Sequence, residues 1–104
     1  MKLLGLDHVV LRVGELDPML RFYTDVLGCA VEKRQPAIGL TQLRAGRSLI
    51  DLQEPQDGPV VPAGIDRNVE HICLRIEPFD GDTLARHFAR HGIARGMVAE
   101  RYGA

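Results

Sequence analysis

The sequence predicts an α+β fold made of a duplicated strand–helix–strand unit, with the second copy shorter than the first. Three observations predict it. Leu6–Val13 (LDHVVLRV) lies over Val69–Ile76 (VEHICLRI) at an offset of 63, with His, Leu and Arg identical and the other five positions pairing like with like. Both copies then run through a turn to an aspartate (Asp17, Asp80) and an amphipathic helix closed by glycine. Two strands resemble each other easily by chance; two strands each followed by the same helix do so rarely, so the pattern is read as an internal repeat. Third, residues 54–67 (EPQDGPVVPAGIDR) hold three prolines and two glycines without periodicity, the composition of a connection between copies.

The first copy reads element by element. Residues 6–13 alternate with period two and are rich in valine and leucine, which specifies a strand. Asp17 suits an N-cap and Pro18 the first helical position, where a missing N–H costs nothing. Met19, Leu20, Tyr23, Val26 and Leu27 fall on one face at helical spacing, Tyr23 reading as core, and Gly28 supplies the stop. Three short strands follow at about 29–35, 39–45 and 48–53. The last two are joined by Ala45-Gly46-Arg47, a tight turn with glycine where a positive φ is needed.

The second copy predicts a strand from about 69, then a helix over about 82–91 with Leu84, Ala85 and Phe88 inward and a stop at Gly92. A strand at about 93–102 follows. The layout is therefore one domain over 1–104: a first module 1–54, a linker 55–67 and an incomplete second module 68–104.

A chain of 104 residues buries roughly two-thirds of its unfolded surface, enough for a true core. It is 45% hydrophobic and 26% charged, with a formal net charge of −1. That balance offers no basic patch for nucleic acid and no acidic tail for a cationic partner. Met1-Lys2-Leu3-Leu4 does not make a signal peptide, and no apolar run approaches membrane-spanning length. Cys29 and Cys73 form neither a CxxC pair nor a disulfide framework, and read as reduced thiols of a cytoplasmic protein.

Strand alternation sorts the chemistry. Val9, Leu11 and Val13 share the face on which the following helix packs, so His8, Val10 and Arg12 face the other way. The repeat places His71, Cys73 and Arg75 opposite Ile72, Leu74 and Ile76, which should lie under the second helix. In residues 48–53, Ile50 and Leu52 oppose Leu49, Asp51 and Gln53. Three strands thus put an ionisable residue on the face away from the helix.

LDHVVLRV, the helix ending FYTDVLG, the hairpin LRAGRSLIDL and the opening VEHICLRI together resemble the vicinal-oxygen-chelate superfamily of glyoxalases, bleomycin-resistance proteins and dioxygenases. The resemblance runs in order along essentially the whole chain. It implies paired βαβββ modules forming a curved half-barrel sheet around a cavity that often holds a divalent metal, with the second module here truncated. It also implies ligands at His8 and His71, and at Asp51, where glutamate is commoner. The family's last carboxylate would stand on a final strand that this sequence does not reach; either a partner subunit of a homodimer supplies it or it is lost.

His8, Asp51 and His71 make a two-histidine, one-carboxylate set that suits Fe, Mn, Zn, Ni or Co. Two functions are expected from it. The first is a metal-dependent enzyme that chelates adjacent oxygens of a small substrate, its reaction open among isomerisation, ring-opening oxygenation and nucleophilic addition. The alternative is a non-catalytic module that sequesters a drug or small aromatic ligand; three retained ligands and an aromatic content of only 5% weigh against it. Arg12 and Arg75 suit an anionic substrate group by bidentate hydrogen bonding, or else pair with Asp51 or line the sheet edge. His87 and His91 have the spacing of a helical metal pair, but Arg86 and Arg90 flank them, and a solvated face is the simpler reading. Cys73 reads as a small buried filler, and Glu100, Arg101 and Tyr102 as a stretch that closes the cavity.

Overall fold

The computed structural model describes residues 1–56, 69, 71–94 and 96. It divides into two compact units, Met1–Glu70 and His71–Ala104.

In the first unit, β1 (His8–Arg12), β2 (Ala30–Gln35), β3 (Leu40–Ala45) and β4 (Ser48–Gln53) form one curved four-stranded sheet in the order β1-β4-β3-β2. β1 runs parallel to β4, and the other two pairs are antiparallel. The parallel pair needs a long crossover, which α1 (Leu16–Arg21) and the following hairpin provide. Two registers carry the core. Val9, Ile50 and Leu43 stand side by side across three strands, as do Leu11, Leu52 and Thr41. Leu43, Ile50, Leu52 and Thr41 are almost wholly buried, and Val13, Leu16 and Tyr23 close the cluster.

The helix departs from its expected form in two ways. It starts at Leu16, with Glu15 at the N-cap making no side-chain bond, so Asp17 stands in the first turn instead of capping it. After Arg21 it widens into a π turn, Phe22–Val26, with Leu27 N–H bonded to the Phe22 carbonyl at 3.1 Å. The Thr24 hydroxyl donates to the Leu20 carbonyl at 2.8 Å, competing for an acceptor of the regular ladder. Phe22, together with Met19, Leu20 and Leu27, packs against the core, and Val26 is half-buried. Gly28, at φ 79°, ends the segment: its N–H reaches Thr24 O and that of Cys29 reaches Tyr23 O, at 3.1 and 2.9 Å, a glycine-stopped helix end.

The β3–β4 turn has Gly46 at φ 61°, as expected. A short 3-10 turn, Pro36–Ile38, precedes β3 and is closed by Gly39 at φ 65°. The Gly39 carbonyl accepts from Glu54 N at 2.8 Å. A Cβ there would collide with the Gln56 side-chain amide and come within 3.2 Å of Glu54 Cβ. Left-handed backbone costs about 1–2 kcal/mol for a residue other than glycine. Gly39→Ala is therefore expected to lower the unfolding free energy by about 2 kcal/mol, readable as a shifted urea midpoint at constant slope.

In the second unit, α2 (Gly81–Arg90) forms as expected. Asp80 caps it by accepting from the N–H groups of Asp82 and Thr83, both at 3.1 Å, and Gly92 follows at φ 73°. Leu84, Ala85 and Phe88 are half-buried along one side. The expected strand before it does not form: residues 71–76 belong to no helix or strand, and every residue from 71 to 80 is exposed. Ile72, Leu74 and Ile76 keep 36%, 45% and 45% of their surface, so they do not lie under α2, and Cys73 is exposed instead of filling a core. The local alternation is present in the sequence; the neighbour that would turn it into a paired strand is absent among the described residues. Most of the strand expected at 93–102, the linker beyond Gln56, and Glu100, Arg101 and Tyr102 lie outside the described residues. No helix among them is long and apolar enough to cross a membrane.

Candidate functional site

The sheet face away from α1 follows from the register. His8, Val10 and Arg12 on β1 stand beside Leu49, Asp51 and Gln53 on β4, and those beside Arg44, Gln42 and Leu40 on β3. The expected grouping of His8, Asp51 and Arg12 on one face is what the first unit contains.

Asp51 sits mid-strand between Val10 and Gln42 and is only 3% exposed. Its Oδ1 atom is buried and accepts no hydrogen bond from any described residue. Buried polar atoms are normally satisfied, and one that is not calls for an explanation. His8 lies on the same face, two residues along β1 from Val10, the residue paired with Asp51. The two interact electrostatically. A hydrogen bond from the His8 ring to Asp7 raises the imidazole's pKa above its usual value; partial desolvation opposes this, and the negative charges of Asp51 and Asp7 add to it. His8 Nδ1 stands 2.8 Å from Asp7 Oδ2. Asp7 is not among the residues singled out from the sequence. The available signal was the acid that precedes the histidine in both copies, Asp7 and Glu70.

Gln53 shares the face but is tethered, its amide donating to the carbonyls of Ile38 and Glu54 at 2.7 and 3.2 Å. Arg44 is bound to Glu32 at 3.1 Å. Arg12 ends β1 and is exposed. His71 and Arg75 belong to the second unit, both exposed. The His87 and His91 rings lie 5.0 Å apart at the end of α2. Among the described residues, no three His, Cys, Asp or Glu side chains gather in one place.

The donor types fit a borderline divalent cation: an imidazole, His8, and a carboxylate oxygen with no hydrogen-bond donor among the described residues, Asp51 Oδ1, stand on one sheet face.

The family model described as Glyoxalase/Bleomycin resistance protein/Dioxygenase superfamily matches residues 5–103. No curated protein matches. Among solved structures, the integron cassette protein HFX_CASS4 from the mobile metagenome of the Halifax Harbour sewage outfall is 24% identical, with a TM-score of 0.68 over 92% of this chain and 78% of that one. The cassette protein VPC_CASS1 of V. pseudocholerae gives 24% identity and a TM-score of 0.70, over 99% and 80% of the two chains. Lactoylglutathione lyase from Agrobacterium tumefaciens gives 21% identity and a TM-score of 0.65, over 88% and 73%. At these identities the likeness is one of fold.

Proposed function

Because this chain belongs to the Glyoxalase/Bleomycin resistance protein/Dioxygenase superfamily, we propose that it is a metal-dependent enzyme acting on a small, oxygen-rich substrate, with His8, Asp51 and His71 as metal ligands. The observation that carries the reading is the buried Asp51 Oδ1, which no described residue satisfies, on the same sheet face as His8. The fold likeness to a lactoylglutathione lyase supports it. When bound, a divalent ion supplies Lewis acidity toward adjacent oxygens of a substrate.

The chain's own groups divide the remaining work. His8 and Asp51 contribute one neutral nitrogen and one carboxylate oxygen from adjacent strands of a rigid sheet. Arg12, at the far end of β1 on the same face, binds an anionic group of the substrate through paired N–H donors, and Arg75 is its counterpart in the repeat. We place the protein in the cytoplasm as a homodimer. Among the described residues β1 pairs only with β4, which leaves its outer edge for a further strand.

Metal content per chain tests the reading, measured on untagged protein reconstituted in turn with Fe, Mn, Zn, Ni and Co. About one tightly held ion per chain is expected, or about half if two subunits share the site. His8→Ala and His71→Ala should each abolish binding with helix content unchanged. Wild-type protein that takes up none of the five overturns the reading in favour of the ligand-sequestering one.

A further inference from the structure

We infer that Asp7 is a positioning residue: it holds the Nδ1–H of His8 and so leaves Nε2 as the atom presented to the metal. The inference rests on the metal reading above and adds which nitrogen binds and what fixes it. His8 Nδ1 and Asp7 Oδ2 are 2.8 Å apart, a short charge-assisted contact. In a regular strand, consecutive side chains point to opposite faces, so a residue rarely reaches its neighbour's ring. Asp7 escapes that constraint because it immediately precedes β1, which begins at His8.

The backbone there is nonetheless anchored. The Asp7 carbonyl accepts from Leu49 N at 2.9 Å, and the Leu6 carbonyl from the Ser48 hydroxyl at 3.4 Å. The carboxylate is thus delivered from a fixed point, although its side chain is largely in solvent.

A neutral imidazole has one N–H and one lone pair, and the partner of the N–H decides which nitrogen ligates. Holding Nδ1, the nitrogen nearer the backbone, exposes the farther Nε2. Nε2 is then the nitrogen whose lone pair is left to ligate, on the sheet face that also carries Asp51. The repeat carries an acid at the same place, Glu70 before His71, as it would if each histidine needed a carboxylate at its back. Such outer partners of metal-binding histidines fix the tautomer and the ring orientation.

The test uses the full chain in three forms: wild type, Asp7→Ala, and Asp7→Asn, which keeps a carbonyl acceptor. Long-range nitrogen–proton NMR of the metal-free protein at about pH 8.5, two units above an ordinary histidine, reads the His8 tautomer. Wild type and Asp7→Asn are expected to carry the proton on Nδ1, and Asp7→Ala on Nε2. Zn(II) affinity should fall about tenfold in Asp7→Ala, the low end for an outer partner because this one is exposed. In Asp7→Asn it should largely recover. An identical tautomer in all three forms, or unchanged Zn(II) affinity in Asp7→Ala, overturns the role of Asp7. A wild type that shows the Nδ1–H tautomer but binds no Zn(II) overturns the metal reading and, with it, the assignment of Nε2 as a ligand atom.

Discussion

Asp51→Leu is expected to make the metal-free protein more stable while removing its divalent metal binding. Asp51 is 3% exposed, and its Oδ1 has no hydrogen-bond donor among the described residues. A buried polar group left unpaired costs about 1–3 kcal/mol. Leucine occupies similar space without that cost, between Val10 and Gln42 on the neighbouring strands. What the substitution gives up is its attraction for His8, which contributes less to the raised imidazole pKa than the Asp7 hydrogen bond does. That attraction reaches a half-exposed ring and is screened by solvent. The net expectation is a gain of about 1–2 kcal/mol in unfolding free energy. Zn(II) affinity should fall by at least about a hundredfold, since a direct ligand matters more than outer partners whose loss costs 10–100-fold. Urea titration of the metal-free forms and Zn(II) titration of the folded ones check the two halves. A destabilised variant that still binds Zn(II) would make Asp51 a structural residue.

The residues that made the first unit legible are those whose burial is decided by local period. Alternation in LDHVVLRV and SLIDLQ put Leu11, Ile50 and Leu52 in the core and His8 and Asp51 together on the opposite face, as the register has them. Glycines at 28, 46 and 92 marked real chain reversals because only a positive φ was needed to place them. The failures share a cause. Ile72, Leu74 and Ile76 alternate as well as the first copy does, yet remain exposed, because alternation states which residues seek cover and not whether a partner strand provides it. The π turn at Phe22–Val26 is accompanied by a hydroxyl of Thr24 bonded to the Leu20 carbonyl, a detail below the resolution of a hydrophobic pattern. Asp7 was hidden by the same rule that revealed Asp51: neighbours on a strand diverge, and only the exact start of β1 exempts this pair.

Leu52→Ala should be among the most damaging core truncations in the first unit and should act without touching the candidate site. Leu52 has no exposed surface and stands between Leu11 on β1 and Thr41 on β3. It therefore joins the parallel and antiparallel halves of the sheet. Its side chain points away from His8 and Asp51. Removing a buried leucine side chain costs its transfer free energy plus the cavity left behind, about 2–5 kcal/mol, with the upper part reached where neighbours cannot collapse inward. Strands held on both sides collapse poorly, so a loss of about 3–4 kcal/mol is expected. That is a large share of the roughly 5–15 kcal/mol typical of a single domain. Ile76→Ala makes the control: the same chemistry at a position 45% exposed should cost less than about 1 kcal/mol. Under conditions where Leu52→Ala remains folded, its Zn(II) affinity should stay within about threefold of wild type, since sites that share no partners combine additively. A loss below about 1 kcal/mol for Leu52→Ala, or an equal loss for Ile76→Ala, would mean that the load-carrying core lies outside the cluster formed by β1, β3 and β4.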